Sequence, residues 1–454
     1  MKTALRMAVG ALALAVLSTG MASVSDASST TPTITASSAG NIGGGGASFP
    51  YDQYKKWIDD ITALSPSVGF GSDSGSKLVL SYTKSSSGTG KSNFYGSSAR
   101  KASQMFSGTD SLVSESDKAT INTNIGGNSI TGRDSWTQIP MTAGPIAVIT
   151  NLPGVTANIK LDGPTICKIY TGQIKVWNDA AIQALNPTIK ALKTMTQTIV
   201  PVARDNTSGT TFIFVSFLAT APNVVNKCGY TSDWTNSVTD LTTLSGTVSP
   251  ADAIMSTRFA AMRAANSAGS IQGKTGNDGV RNYVSATAYS IGYVEMAYSY
   301  ADNVRQAAIK NNATPAAYLL PSASGANAAI AVQNAVAINP ASSAAQVAAS
   351  NPVNPASTYL QPVNQPGATS YPIVGYSWVL LYKQFASSVA QAPTKGQVEG
   401  LIYFLNWSLT KGGVYTSGTT KCYSPLPASV KTLVIAELKK VKYDNGTTNV
   451  TVWR

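Results

Sequence analysis

The sequence contains no histidine. That absence removes Ser-His-Asp and Cys-His nucleophile pairs, histidine general bases and His-ligated zinc. Enzymes that work with carboxylates or lysine alone pass this filter. Charge is also scarce, at 12% of 454 residues. Acidic residues are few and scattered, so no metal-ligand cluster stands out, and neither a metal nor a cofactor is expected. No long basic run is present, and nucleic acid is not an expected partner. The net charge of +12 is a diffuse positive field that favours an anionic ligand or surface. A merely basic exported protein would look the same. Beyond the N-terminus, no stretch reaches the roughly 18 apolar residues of a membrane-spanning helix. Cysteine is limited to Cys167, Cys228 and Cys422, enough for one disulfide and an odd thiol, or for three buried thiols.

The N-terminal residues carry a recognisable pattern. Lys2 and Arg6 give a positive start, Ala8 to Leu17 form a short apolar run, and Ala22 and Ala27 each end a small-residue cleavage site. Residues 1–27 are expected to be a cleaved secretory signal. No cysteine lies near the cleavage site, so no lipid anchor is expected, and the mature chain should be periplasmic or secreted. Residues 28–42 are rich in Ser, Thr, Ala and Gly and read as a flexible leader. The remaining length suggests two or three domains, at roughly 100–200 residues each.

Structure is expected to begin at Gly43, in the run Gly43-Gly44-Gly45-Gly46-Ala47-Ser48-Phe49-Pro50. Tyr54, Trp57, Ile58 and Ile61 follow at helical spacing. Leu78-Val79-Leu80 predicts a short strand and Ser85 to Gly90 a loop. Ser107 to Ser111 predicts a second loop. Ile146 to Thr150 and Ile199 to Ala203 predict buried strands, and Thr211 to Leu218 a helix. Ile291 to Val294, Tyr371 to Val374 and Ser377 to Tyr382 read as strands, and Val398 to Trp407 as a helix. Residues 321–370 read as surface loops and short helices outside the core. The alternation predicts an α/β fold with open sheets.

Three Ser/Thr/Gly-rich segments each follow a strand or open a helix: Gly46-Ala47-Ser48-Phe49, Ser86-Ser87-Gly88 and Ser208-Gly209-Thr210. Backbone N–H groups at a helix N-terminus are unpaired and the helix dipole favours an anion there. Glycine lets the backbone approach a ligand and a hydroxyl adds a donor. Any one of these segments alone is a weak signal, since such loops are more often plain helix caps. The third has the added feature of Arg204 just before it, a fork of fixed donors suited to a tetrahedral oxyanion. A surface ion pair of Arg204 with Asp205 is the alternative. Ser85-Ser86-Ser87-Gly88-Thr89-Gly90-Lys91-Ser92 nearly matches a phosphate-binding P-loop, but Ser85 stands where that pattern needs Gly.

Asp110 has a sharper implication. A carboxylate facing a bound anion is unfavourable unless the anion carries a proton. Phosphate near neutral pH does, and sulfate does not. A buried Asp could thus accept from phosphate and repel sulfate, a discrimination worth several kcal/mol, by analogy with other missing-partner cases at roughly 10²–10⁵-fold. A turn Asp in Gly-Thr-Asp-Ser is the alternative.

With these segments in view, the chain resembles the exported phosphate-binding proteins of the ABC phosphate transporter. The resemblance runs from about Gly43 to the C-terminus. It rests on Gly44-Gly-Gly-Ala-Ser-Phe-Pro50, Phe106-Ser-Gly-Thr-Asp110, Leu161-Asp-Gly-Pro-Thr165 and Ile169 to Trp177. Arg204 with Ser208 to Phe214, Gly276-Asn-Asp-Gly279 and Ile291 to Tyr298 complete it. The Gly-rich start and the cysteine positions are similar to the DING branch. The resemblance implies a two-lobed periplasmic binding protein fold of type II, an α/β fold hinged by two crossovers near Pro140–Pro145 and Pro372–Tyr376. Lobe 1 would comprise 43–141 plus 373–454 and lobe 2 would comprise 142–372. Cys167 and Cys228 fall in the same lobe and are the expected disulfide.

The implied ligand is inorganic phosphate and the implied partner an ABC permease in the inner membrane, with the protein a monomer and not an enzyme. Ser48, the Phe49 backbone N–H, Ser86, Asp110, Arg204, Ser208, Gly209 and Thr210 would contact phosphate. Two departures matter. The second loop has fewer glycines than the family, so Ser86 could be displaced by one residue. Asn206 stands where the family places an Asp beside Arg204. A phosphate scavenger or adhesive protein without a permease, and an exported phosphatase, are the alternative functions. Arsenate is nearly isosteric with phosphate and would fit the same residues.

Overall fold

A computed structural model of the chain describes residues 41–64, 78–95, 104–113, 117–119, 121, 136–220, 271–331, 362–386, 392–444 and 449–451. The expected signal, all but the last two residues of the leader, and Cys228 lie outside the described residues. Ile42 is not leader: it opens strand β1 (Ile42–Gly46). Four glycines in a strand are unusual, because glycine gives a strand nothing to pack. Here they make room for neighbours. A Cβ on Gly44 would lie 2.2 Å from Cζ of Phe106, whose ring occupies that space. Gly46 has a φ of +136° and would meet the carbonyl oxygen of Gly108 at 2.2 Å. Helix α1 (Tyr51–Leu64) buries Tyr54, Trp57 and Ile61 on one face, as its spacing predicts.

Strand β2 (Leu80–Lys84) starts where the expected Leu78-Val79-Leu80 strand ends. Two expected loops are corrected. Only Ser85 and Ser86 form a loop, and Ser87–Tyr95 is helix α2. Ser86 caps that helix: its Oγ accepts from Thr89 N at 3.1 Å. Serine and glycine composition hid a helix that is held by Phe94, stacked on Tyr382 with centroids 4.2 Å apart. Lys91, the lysine of the P-loop-like pattern, is buried and pairs with Asp117 and the Leu112 carbonyl, each at 3.2 Å. Its charge is therefore committed to the core. Phe106–Thr109 is strand β3, not loop; four residues buried on both faces give no alternation to read.

Strand β4 (Trp136–Asn151) is sixteen residues long and buried throughout. The β5 strand (Lys160–Leu161) leads into α3 (Gly163–Tyr170), capped by Asp162, whose side chain accepts from Thr165 N, with Pro at the start. Short helices α4 (Ala180–Leu185) and α5 (Lys190–Lys193) follow. Then come β6 (Val200–Arg204), α6 (Gly209–Thr220), β7 (Gln272–Lys274), α7 (Gly276–Ala286), β8 (Ser290–Glu295) and β9 (Arg305–Gln306). Strands β10 (Ala308–Lys310) and β11 (Tyr318–Leu319) form a small sheet with β5. Helix α8 (Ala323–Ala331) corrects the expectation for 321–370, since Ala326, Ala329 and Ile330 belong to the main core. The rest of that segment up to residue 361 lies outside the described residues.

Strand β12 (Val374–Tyr382) is fully buried. Strand β13 (Gln384–Ala386) and helix α9 (Lys395–Thr410) follow, the latter opened by a Thr394–Gln397 capping box. The hairpin β14 (Thr416–Ser417) and β15 (Thr420–Lys421), helix α10 (Ala428–Leu438), and β16 (Lys442–Asp444) with β17 (Asn449–Thr451) complete the described chain.

The main sheet has the order β2-β1-β3-β12-β4-β8-β6-β7, with β9 on β4. Its register fixes where the loops go. Strand β4 pairs antiparallel with β12 from Trp136 to Pro145, then antiparallel with β8 from Ile146 to Asn151. The change of partner at Pro145/Ile146 suits a residue with no N–H to give the ladder. Strands β1, β2 and β3 are parallel to one another, and β12 is antiparallel to β3 and β4. Strands β6 and β7 are parallel to β8. The two parallel sets therefore run in opposite directions, and their carboxyl ends converge on the middle of β4 and β12.

Candidate functional site

In open α/β sheets ligands bind at the carboxyl ends of strands. Here the two converging sets deliver the Ala47–Pro50 loop from β1, Ser85-Ser86 from β2, Asp110 from β3, Arg204 to Ser208 from β6, and Thr275 from β7 to one place. Helices α1, α2, α6 and α7 open there, each within a few residues of a Ser or Gly singled out in the sequence.

Asp110 lies at the centre, 1% exposed. Ser377 on β12 donates its hydroxyl to Oδ1 at 2.6 Å, and Ser87 at the start of α2 donates to Oδ2 at 3.1 Å. Ser87 Oγ in turn accepts from the backbone N–H of Asp110 and of Gly209, both at 3.1 Å. One hydroxyl thus ties β3, α2 and the N-terminus of α6 together. Burial pushes the Asp110 carboxyl up to about 7, against the lowering effect of the Ser377 and Ser87 hydroxyls and the Arg204 charge. Gly209 must be glycine. A Cβ there would lie 2.4 Å from Cβ of Asp110 and 2.6 Å from Oγ of Ser87.

Arg204 is also 1% exposed. Its Nε donates to Oδ1 of Asn206 at 2.8 Å, and its backbone N–H to the Tyr293 hydroxyl at 3.2 Å. Asp205 does not serve it: that side chain is on the exposed side, accepting from the Thr275 hydroxyl at 2.8 Å. A neutral amide thus helps to orient the guanidinium, whose charge also lowers the Asp110 carboxyl. Ser208 Oγ accepts from Thr211 N at 3.1 Å and caps α6. The hydroxyl of Thr210 is buried with no hydrogen-bond partner among the described residues.

The remaining predicted residues sit around this centre. Ser86 does not reach Asp110. Its hydroxyl meets that of Thr207 at 3.0 Å and that of Thr89 at 2.9 Å. Ser48 Oγ accepts from Nδ2 of Asn277 at 3.3 Å, and its carbonyl from the Tyr298 hydroxyl at 3.1 Å. The Phe49 carbonyl accepts from the Tyr423 hydroxyl at 2.7 Å. That hydroxyl also bonds Glu295 at 3.0 Å, a fully buried carboxyl raised above its usual range by burial. At the rim, Lys84 pairs with Asp278, and Arg281 Nη2 reaches the same carboxylate at 3.4 Å.

Asp110, Arg204, Ser208, Gly209 and Thr210 are brought together, and Ser87, not Ser86, is the serine of the second loop that bonds Asp110. Sequence reasoning missed Ser377, Thr207, Asn277, Tyr423 and Glu295. Ser377 lies within a predicted strand, where a lone serine carries no signal; the strand register is what brings it to Asp110. Among the described residues no group of three or more His, Cys, Asp or Glu could hold a metal ion. No described helix is long and apolar enough to cross a membrane. Cys167 takes part in a disulfide, whereas Cys422 is a buried free thiol pushed up to about 12 by burial.

These features meet a known family. The model of the PBP superfamily domain matches residues 31–410, and the chain belongs to that superfamily. It is similar to the phosphate-binding protein PstS of Haemophilus influenzae, 25% identical over 404 residues, which covers 88% of this chain and 93% of that protein. It is also similar to the PstS of Methanocaldococcus jannaschii, 27% identical over 372 residues, covering 81% and 78%. Among solved structures, the high-affinity periplasmic phosphate-binding protein PfluDING, bound with phosphate, matches with a TM-score of 0.55 at 20% identity, over 87% of this chain and 93% of that one. A human phosphate binding apolipoprotein gives 0.55 at 19% identity with the same coverage. The fold is the expected two-lobed α/β fold of binding proteins.

Proposed function

We propose that this protein binds inorganic phosphate between its lobes and delivers it to an ABC-type permease in the inner membrane. The observation that carries the reading is Asp110. A buried carboxylate faces the N-terminus of α6 and the Arg204 guanidinium, with hydroxyl donors already on both its oxygens. Donors alone would suit any oxyanion. An acceptor among them suits only an anion that brings its own proton. The names of the relatives, phosphate-binding proteins over about nine-tenths of this chain in the first case, support the same ligand.

In this reading Arg204, Ser208, Gly209 and Thr210 hold phosphate from one lobe, and Ser48, the Phe49 N–H, Ser86 and Asp110 from the other. Ser86 and Gly209 now bond Thr207 and Ser87 across the cleft. On binding they would turn to the anion, so closure exchanges hydrogen bonds for others of the same kind. The lobes are 43–141 with 373–454, and 142–372, a division supported by the change of β4 partner at Pro145/Ile146. Residues 1–27 act as a cleaved signal that places a monomer in the periplasm or outside the cell. In this reading the protein is a binding protein and not an enzyme, which the names of its phosphate-binding relatives support.

Calorimetric titration of phosphate and of sulfate into anion-stripped protein tests the reading. Phosphate is expected to bind tightly and sulfate at least roughly a hundredfold more weakly. Equal binding of both, or of neither, would overturn it. Arrest of phosphate uptake on deletion of the gene, restored by the full chain, is the expected result for the permease partner.

A further inference from the structure

Trp378 of β12 stands opposite Thr109 of β3 in an antiparallel pair. The next position back along β12 therefore faces the residue after Thr109. Those two residues are Ser377 and Asp110, and the contact closes at 2.6 Å. The same residue marks an irregularity against β4, where Ser377 faces Thr142 but Trp378 faces Pro140. The extra residue on β4, Met141, is a bulge, and bulges re-aim side chains. Ser377 is fully buried, so water does not compete for its hydroxyl. It belongs to a crossover strand, outside every loop predicted to touch an anion.

We infer that Ser377 is a specificity-determining residue: its hydroxyl keeps Asp110 in the accepting form that takes a proton-bearing oxyanion and refuses a bare one. The inference rests on the phosphate reading above. A hydroxyl that donates to a carboxylate stabilises its charged form. The groups facing Asp110 from elsewhere do not supply that help equally. Tyr54 from α1, Tyr82 from β2 and Glu295 from β8 are all raised by burial. Arg204 from β6 is the cation, and it too favours the charged form of Asp110. Without the Ser377 hydroxyl, Asp110 keeps its proton to higher pH. A protonated Asp110 is a donor. It would welcome sulfate and lose its preference for the hydrogen-bearing phosphate.

The test is titration of phosphate and sulfate into the anion-stripped full chain as wild type, Ser377→Ala and Ser377→Thr. At about pH 7 the phosphate-to-sulfate affinity ratio should fall roughly tenfold or more in Ser377→Ala, because a hydrogen bond to a charged group is lost. At about pH 9, where Asp110 ionises again, the ratio should recover toward wild type. Ser377→Thr keeps the hydroxyl and should keep the ratio. A purely structural role would weaken both anions alike and leave the ratio flat with pH, and that result overturns the inference. If the alanine variant does not fold, Ser377→Cys, a weak donor of similar size, should give an intermediate ratio, and an unchanged ratio overturns the inference. A wild type that discriminates while the variants discriminate equally well overturns this inference alone. A wild type that binds neither anion overturns the phosphate reading and this one with it.

Discussion

Asp110 spends part of the fold's stability on function. Its carboxyl titrates near 7 in the folded chain against a usual 3.8, because burial penalises the charge. Between those values the folded form holds a proton that the unfolded form has released, so stability falls as pH rises through that window and stays lower above it. Asp110→Asn removes the charge at nearly constant shape. The variant should be more stable than wild type at about pH 8, close to it at about pH 4, and should lose the decline between. Denaturant unfolding at several pH values measures this, and an unchanged decline would assign it to another group. The same variant should bind phosphate more weakly and discriminate less, since an amide can donate to sulfate. Arg204 has its Nε aligned by the neutral amide of Asn206.

Helix α6 shows what one small residue permits. Its N-terminal N–H groups and dipole favour negative charge, and Gly209 lets them come into contact with Asp110 and Ser87. Gly209→Ala would place a methyl 2.4 Å from Asp110 Cβ and 2.8 Å from its Cα. Part of that obstacle is backbone, so the helix must move away from the other lobe. Overpacking of about 1–3 kcal/mol predicts a loss of phosphate affinity of roughly five- to 150-fold. Calorimetry reads it, and wild-type affinity in the variant would mean that the bound state separates these residues. Helix α2 teaches a related lesson. Its first turn, Ser87-Gly88-Thr89-Gly90, reads as loop by composition. It folds as helix because Ser86 caps it and Phe94 anchors it on Tyr382. The turn of a helix separates Ser86 from Ser87 in direction, which is why only Ser87 meets Asp110.

At the scale of the molecule, the two crossover strands decide how loops distant in sequence meet. Among the described strands, β4 alone joins both parallel sets, through β12 and then β8. The cleft is also clasped at its rim. Lys84, the last residue of β2, pairs with Asp278 of α7, and its Nζ lies 4.7 Å from the Tyr51 ring centroid and 5.5 Å from that of Tyr298. The paired side chains are 32% and 37% exposed, so the pair is worth at most about 1 kcal/mol and is screened by salt. Lys84→Met should speed phosphate release about two- to fivefold in stopped-flow measurements and flatten its dependence on salt. Unchanged release would show that the clasp forms only in the empty protein.

The sequence by itself determined the local chemistry. Continuous apolar runs marked the buried parts of β4, β6, β8 and β12, because a strand covered on both faces is apolar throughout. Serine and glycine beside a strand end marked the cap of α6, and Arg204 and Asp110 stood out because charge in such loops is rare. Tertiary structure decided the rest, for a physical reason: register is a property of pairs of strands, and no single strand carries it. It gave the Asp110 contact to Ser87 and left Ser86 with Thr207, set the Asn206 amide on Nε of Arg204, and placed Ser377, one serine in an apolar strand, on the Asp110 carboxylate.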